Sequence, residues 1–151
     1  MSADLYIKNM NQKKQYQNLK SAYTTVYLDY FKDDYNNYGL FNFLRSNLNK
    51  EFSWWQFADN EKWFDKKGNM TVKGAIEFKK IILQAKEDLS KKKMFYLKIL
   101  NLEEIESSGH IKYNLKKLTK KEVKKFFYHL ELLIKFLILA IKQKNKIIWN
   151  V

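Results

Sequence analysis

The sequence predicts a mainly α-helical, compact multi-helix domain with a long C-terminal helix, and it leaves room for one short β-hairpin or wing. Few positions can interrupt a helix, because the 151 residues include no proline and only four glycines. Apolar residues also recur at steps of three and four along several segments, as they do on one face of a helix. Hydrophobic residues make up 46% of the chain, which is enough to form a buried core.

The N-terminal half contains three predicted helical segments. Apolar spacing predicts the first over roughly residues 11–31 and the second over Leu40–Leu48. A third helix is predicted to begin at Trp54, because Ser53 and Gln56 have the spacing of a capping box. This half is therefore expected to be helical and rich in aromatic side chains.

Further elements follow a turn. Lys66–Asn69 has the composition of a turn, and the stripe of apolar residues after it predicts a helix over Thr71–Ser90. Residues 91–106 fit either a strand or a helix, and the helix is favoured. Apolar residues alternate over Ile111–Leu115, which predicts a short strand.

The last predicted helix is the longest. Thr119 and Glu122 form a capping box, and apolar residues at helical spacing continue to about Lys146. Charged residues interrupt the apolar run, so no transmembrane span is predicted. A helix that is apolar nearly all round is either central in the fold or shared with a partner. Self-association is therefore considered for the residues on its second apolar side, Leu132, Phe136 and Leu139.

Charge divides the sequence into two parts. Residues 1–65 contain eight basic and eight acidic groups, whereas residues 66–151 contain 21 basic and eight acidic groups. The whole net charge of +13 therefore comes from the second part. We interpret the chain as a neutral, aromatic-rich half, 1–65, and a lysine-rich half, 66–151, within one structural domain with a single core.

The basic residues are almost all lysines, since Arg45 is the only arginine among 29 Lys and Arg. The abundance of Lys, Asn, Ile, Phe and Tyr indicates an AT-rich genome, so part of the lysine excess reflects codon bias. Arginine makes bidentate contacts with guanine and phosphate, whereas lysine provides a hydrated point charge. The composition therefore disfavours reading of base sequence but permits diffuse attraction to polyanions.

Lysines concentrate around the start of the last helix, a position where a bound anion would be stabilised. A nearby tyrosine could stack on a base. The alternative is a solvated surface produced by codon bias. The predicted nucleic-acid-binding residues are Lys91, Lys92, Lys93, Tyr113, Lys116, Lys117, Lys120, Lys121, Lys124 and Lys125.

Two DNA-binding patterns fit the sequence in part. Residues 103–118 can be aligned with a helix-turn-helix, with Gly109 at the turn and Leu115 and Leu118 facing inwards from the second helix. Residues 54–78 have the order of the wing and following helix of winged-helix proteins.

No enzymatic activity, cofactor or metal site is predicted. The chain has no cysteine and two histidines, which excludes thiolate chemistry and histidine-rich metal centres. Four glycines are too few for the phosphate-binding loops of nucleotide enzymes. Asp59, Glu61 and Asp65 are the residue types of a magnesium site, but a solvated helix face is the better interpretation.

The leading functional hypothesis is a cytoplasmic protein that binds nucleic acid or a ribonucleoprotein through its lysines. The second is a protein-interaction module or inhibitor from a phage or other mobile element, such as an anti-CRISPR type, that blocks a partner's nucleic-acid channel. That hypothesis assigns partner binding to Trp54 and Trp55, because tryptophan is frequent at interface hot spots. A third is peripheral binding to anionic membranes through the last helix and Trp149.

Overall fold

The computed structural model describes residues 4–8, 25–27, 39–50, 52, 57, 59–100 and 113–150. These residues form three helices and five strands. In chain order they are β1 Asp4–Ile7, β2 Thr25–Tyr27, α1 Leu40–Asn47, α2 Val72–Ser90, β3 Tyr96–Leu100, β4 Tyr113–Lys117, α3 Lys120–Lys142 and β5 Ile147–Asn150. The described part is mainly helical with a long C-terminal helix, as predicted, but its two antiparallel sheets exceed the single hairpin expected.

The first sheet joins strands from distant parts of the sequence in the order β2-β1-β5. Both pairings of the central strand β1 are antiparallel. Met70 extends the sheet beyond β5: its N–H donates to the carbonyl of Ile147 at 2.8 Å, and it accepts from the Ile147 N–H at 2.9 Å. Leu5, Met70 and Ile147 are fully buried, so this sheet is anchored in the core.

The sheet corrects one predicted helix. Thr25–Tyr27 lies within the helix predicted over roughly residues 11–31, yet it is a strand. Its β-branched and aromatic residues suit a pleated surface, and its backbone pairs antiparallel with β1. The rest of that helix, and the helix start predicted at Trp54 with Ser53 and Gln56, lie outside the described residues.

Helix α1 confirms the prediction for Leu40–Leu48 to within one residue. Its apolar side chains enter the core, and its polar side chains bind the outer edge of β3. Asn47 binds both backbone groups of Tyr96: it accepts from the N–H and donates to the carbonyl, each at 2.9 Å. Asn42 donates to the carbonyl of Lys98, and Ser46 accepts from its N–H.

The helix favoured for residues 91–106 is wrong where the structure describes it, because Tyr96–Leu100 forms strand β3. Its alternate side chains Leu97 and Ile99 pack against the core, while Lys98 is exposed. One edge of β3 pairs antiparallel with β4, and the other is bound by the α1 side chains. These partners are distant in sequence, so the local periodicity could not identify the strand. Strand β4 confirms the alternation predicted over Ile111–Leu115, displaced by two residues.

The turn and helix predicted after residue 65 are confirmed. The Asp65 carboxylate accepts from the N–H groups of Lys67 and Asn69 at 2.9 and 3.0 Å, and Gly68 adopts a positive φ of 79°. Thr71 caps α2 by accepting from the N–H of Gly74 at 3.1 Å. The predicted apolar stripe of α2 is buried.

Helix α3 begins as predicted, with both hydrogen bonds of the Thr119–Glu122 capping box present. It ends at Lys142 rather than near Lys146, because the backbone turns through Lys144, whose φ is 54°. The chain then enters β5. Among the described helices, none combines the length and apolarity needed to cross a bilayer.

A continuous buried cluster contains residues from both halves of the sequence. It includes Phe136 and Leu139, which are 0% and 6% exposed, whereas Leu132 is partly exposed. The apolar second side of α3 is therefore part of the core of the chain itself. For Phe136 and Leu139 this corrects the prediction of a self-association surface, because neither side chain is available to a second copy of the chain.

The helix-turn-helix alignment of residues 103–118 is also wrong. Its second helix falls on β4, where Leu115 is 61% exposed instead of facing inwards. Only Leu118 is buried as that alignment required. In the region compared with a wing, the described residues contain one antiparallel bridge between Phe64 and Met70 across the turn.

Candidate nucleic-acid interface

The β3–β4 hairpin brings two lysine segments to the same end of the fold. The register places Tyr96 opposite Lys117, and the N–H of Leu118 donates to the carbonyl of Phe95 at 2.9 Å. Residues 91–93 lie just before this contact, and the first turn of α3 lies just after it. We call the resulting set of exposed side chains the lysine surface: Lys91, Lys92, Lys93, Lys117, Lys120, Lys121, Lys124 and Lys125.

A cluster of phenylalanines supports the lysine surface from within. The Phe43 ring of α1 stacks on Phe126 of α3, with centroids 4.5 Å apart and an interplanar angle of 4°. Phe95 lies 5.7 Å from Phe43 and packs edge-to-face against Phe127 at 5.8 Å. These contacts fix the start of α3 to α1 and to the segment before β3, so the lysines stand on a rigid base.

Lys116 differs from the other predicted lysines because it binds the acidic residue of the helix cap. Its Nζ lies 3.0 Å from Oε2 of Glu122, while the Thr119 N–H donates to Oε1 at 3.2 Å. These hydrogen bonds, chiefly that from Lys116, hold the pKa of Glu122 below its ordinary value. Lys116 therefore serves the cap of α3.

The remaining lysines on β4 and α3 have no acidic partner among the residues that the structure describes. Besides Glu122, α3 contains one acidic residue, Glu131, and that residue pairs with Lys86 of α2. The buried His129 experiences this positive charge. Burial lowers the pKa of His129 below its ordinary value, and repulsion from Lys125 lowers it further. This side of α3 is thus strongly positive.

The two lysine segments differ in their relation to the helix ends. Lys91 is the C-terminal cap of α2, and Lys92 and Lys93 follow it, where the helix dipole favours positive charge. Lys120 and Lys121 occupy the first turn of α3, where the dipole disfavours it. Helix stability therefore explains the lysines after α2 but not those at the start of α3.

Exposed apolar side chains lie beside the lysines. Met94, which follows Lys93, is 52% exposed, and Leu115, which precedes Lys116, is 61% exposed. Tyr128, one turn after Lys124, is 55% exposed. Tyr128 was not among the residues predicted from the sequence, although it follows Lys121 by seven residues and Lys124 by four. The aromatic residue predicted instead, Tyr113, lies in β4, and its side chain is outside the described part of the chain.

Two further described residues, Arg45 and Trp149, do not belong to the lysine surface. Trp54 and Trp55 lie outside the described residues. Arg45 is not on the lysine surface: its Nη1 donates to the carbonyl of Phe52 at 2.9 Å. Trp149 is partly buried, with its ring edge-to-face on Phe64 at 5.3 Å. The lysine surface therefore lacks the guanidinium group that most often reads bases.

The chemistry available at this surface is the attraction of ammonium groups for anions, combined with one exposed aromatic ring. Within the described ranges, no group of three histidine, aspartate or glutamate residues is placed to hold a metal ion. Asp65, one residue of the magnesium pattern, instead accepts a hydrogen bond from Lys146 at 2.9 Å. Comparison with protein-family models, curated proteins and solved structures gives no match for this chain.

Proposed function

We propose that the protein is a non-enzymatic nucleic-acid-binding protein whose lysine surface contacts the phosphate backbone of DNA, RNA or a ribonucleoprotein. The supporting observation is a set of lysines on the first two turns of α3 that have no acidic partner within the described residues: Lys120, Lys121, Lys124 and Lys125. Both acids of this helix are bound by lysines outside the set. The positive charge therefore remains available to a ligand.

The absence of arginine from this surface determines the kind of binding expected. Lysine contacts with phosphates contribute affinity through the release of counterions and carry little base specificity. We therefore expect affinity to fall steeply with salt and to vary little with sequence. A helix fixed by stacked phenylalanines holds the charges in place and limits the ordering cost of binding.

The test is binding of fluorescent single-stranded and duplex oligonucleotides at several salt concentrations. The variant Lys120→Gln, Lys121→Gln, Lys124→Gln and Lys125→Gln should lose most of its affinity. Each lost phosphate contact should also reduce the slope of log K against log salt by about 0.7 for single strands or 0.9 for duplexes.

A matched variant removes the same number of charges outside α3: Lys62→Gln, Lys66→Gln, Lys67→Gln and Lys73→Gln, all at exposed positions. It should retain most of the affinity. The proposal is wrong if the wild-type protein binds no nucleic acid at low salt. It is also wrong if the two variants lose affinity equally, since binding would then depend only on net charge.

One observation supports a second candidate, a protein partner. Met94 and Leu115 are exposed apolar side chains within a basic surface, and interfaces commonly combine an apolar centre with a charged rim. An inhibitor of this type would compete with nucleic acid for an acidic or nucleic-acid-binding protein. Met94→Ser with Leu115→Ser should then abolish capture of that partner while leaving oligonucleotide affinity unchanged.

A further inference from the structure

We propose that the lysine surface binds single-stranded nucleic acid in preference to duplex, with one base stacked on the ring of Tyr128. This inference rests on the proposed function and names its ligand class. Tyr128 is the one exposed aromatic side chain among those the structure describes, and it lies on the positively charged side of α3. The surface thus offers a base-stacking group together with phosphate-binding groups.

The position of Tyr128 on the helix carries the inference. Lys121 precedes it by seven residues and Lys135 follows it by seven, so all three lie along one line of the helix. With a rise of about 1.5 Å per residue, each lysine is about 10 Å from the tyrosine along the axis. Lys124 lies one turn away on the same side. A single strand of nucleic acid running along α3 would therefore meet the ammonium groups of Lys121 and Lys135 on either side of the stacked base.

The Tyr128 ring lies 6.1 Å from the His129 imidazole at an interplanar angle of 50°, and more than half of its surface is still exposed. Its neighbour Phe127 packs against Phe43 and Phe95, and its other neighbour His129 is buried, so the backbone at Tyr128 is fixed. The acidic residue closest along the helix, Glu131, is held by Lys86. Repulsion between that carboxylate and a phosphate is thereby reduced.

The exposed ring also distinguishes between forms of nucleic acid. In a duplex, both faces of each internal base are covered by neighbouring base pairs, so a surface tyrosine has no base face to stack on. A single strand presents such faces, and stacking on an aromatic ring tolerates any base. Single-strand preference without sequence preference is what a tyrosine among lysines can provide.

The experiment measures anisotropy with three probes of about 12 nucleotides: oligothymidine, an abasic strand with the same phosphates, and a duplex. Oligouridine is included to compare RNA with DNA. Wild-type protein should bind oligothymidine about tenfold more tightly than the abasic strand, and more tightly than the duplex. Tyr128→Ala should remove this advantage without changing the salt slope, whereas Tyr128→Phe should retain it.

Ile138→Ala is the matched control, because Ile138 is an exposed apolar residue on the same helix. It should leave all affinities unchanged. Equal wild-type affinity for oligothymidine and abasic strands, a preference for duplex, or no effect of Tyr128→Ala would overturn the inference. None of these outcomes would affect the proposed function, which fails only on the absence of binding or on equal losses in the two lysine variants.

Discussion

Gly74 marks a close approach between α2 and the segment before it. A Cβ atom on this residue would lie 2.6 Å from the carbonyl oxygen of Trp63 and 2.8 Å from its Cβ. The Trp63 carbonyl is held in place, because it accepts hydrogen bonds from the N–H and the hydroxyl of Thr71 at 2.8 and 3.1 Å. Neither atom can move aside by rotation of a side chain.

We therefore expect Gly74→Ala to lower the free energy of unfolding by about 1–3 kcal/mol. The sign is informative, because alanine is ordinarily the better helix former by about 1 kcal/mol. Urea unfolding measures the difference. The control is Lys73→Ala at the exposed neighbouring position, which should change stability by less than about 0.5 kcal/mol. Equal stability of the two variants would contradict the expected clash.

Features of single residues were predictable from the sequence where their causes are local. The cap at Thr119 depends on Glu122 three residues later, and both the pattern and the hydrogen bonds agree. Tyr128 was missed because its exposure depends on which side of α3 the core covers. That is decided by packing against α1, α2 and the sheets.

At the scale of elements, side chains of α1 bind the backbone groups of β3 that a further strand would otherwise pair with. Asn47 offers Tyr96 an acceptor and a donor in the manner of a neighbouring peptide group, and its amide also donates to the carbonyl of Phe43 at 2.8 Å. Asn47 is 6% exposed, so water does not readily replace these bonds. One amide side chain thus joins the helix to the edge of the sheet.

Asn47→Ala should lower the free energy of unfolding by about 1–3 kcal/mol, because it leaves partly buried backbone groups of β3 unsatisfied. Asn47→Asp can accept from the Tyr96 N–H but cannot donate to the two carbonyls, so it should also destabilise the fold. Thermal unfolding compares both with Asn49→Ala, an exposed asparagine on the segment after α1. A loss as large in the control would show that the α1–β3 contact contributes little.

The elements that sequence reasoning identified correctly are those with their own periodicity and cap. Helix α2 is the clearest case, since Thr71 and the apolar stripe lie within its own segment. Strand β3 was assigned as helix because its identity depends on Asn47 and on β4, which lie far away along the chain. Likewise, the end of α3 was placed too late because β5 forms by pairing with β1.

At the scale of the whole molecule, acid should destabilise the fold in two ranges of pH. The pKa of His129 lies below 6.5 in the folded chain, mainly because burial opposes its charged form. On acidification the unfolded chain therefore binds this proton first. The pKa of Asp65 falls from 3.8 to about 2, with the hydrogen bond from Lys146 as the largest cause. At lower pH the unfolded chain again gains a proton before the folded chain.

We expect the free energy of unfolding to be highest above pH 6.5 and to fall as pH decreases from 6.5 towards the folded pKa of His129. It should fall again below 4.5, first because Glu122 has a lowered pKa in the folded chain and then, from 3.8 towards about 2, because Asp65 does. Denaturant unfolding across this range measures it. Asp65→Asn should weaken the lower phase, whereas Asp59→Asn, at an exposed position, should preserve it. A stability that rises on acidification would contradict both assignments.

The distribution of charge was predictable at the whole-molecule scale, but its arrangement was not. The sequence shows lysines in two segments separated by more than twenty residues. The fold brings these two segments to the same end of the molecule, where the N–H of Leu118 donates a hydrogen bond to the carbonyl of Phe95. Which lysines pair with acids, and which have no such partner in the described part of the chain, emerged only from contacts such as Lys86–Glu131.

The pairing of β1 with β5 has a consequence for folding during synthesis. β1 is synthesised well before β5, because residues 8–146 lie between the two strands. Until β5 emerges, one edge of β1 lacks its partner strand, and the N–H and carbonyl of Met70 lack their partner Ile147. Interrupting translation before Ile147, or removing the final strand by proteolysis, would leave an open sheet edge. Such an edge favours aggregation and recognition by chaperones or proteases.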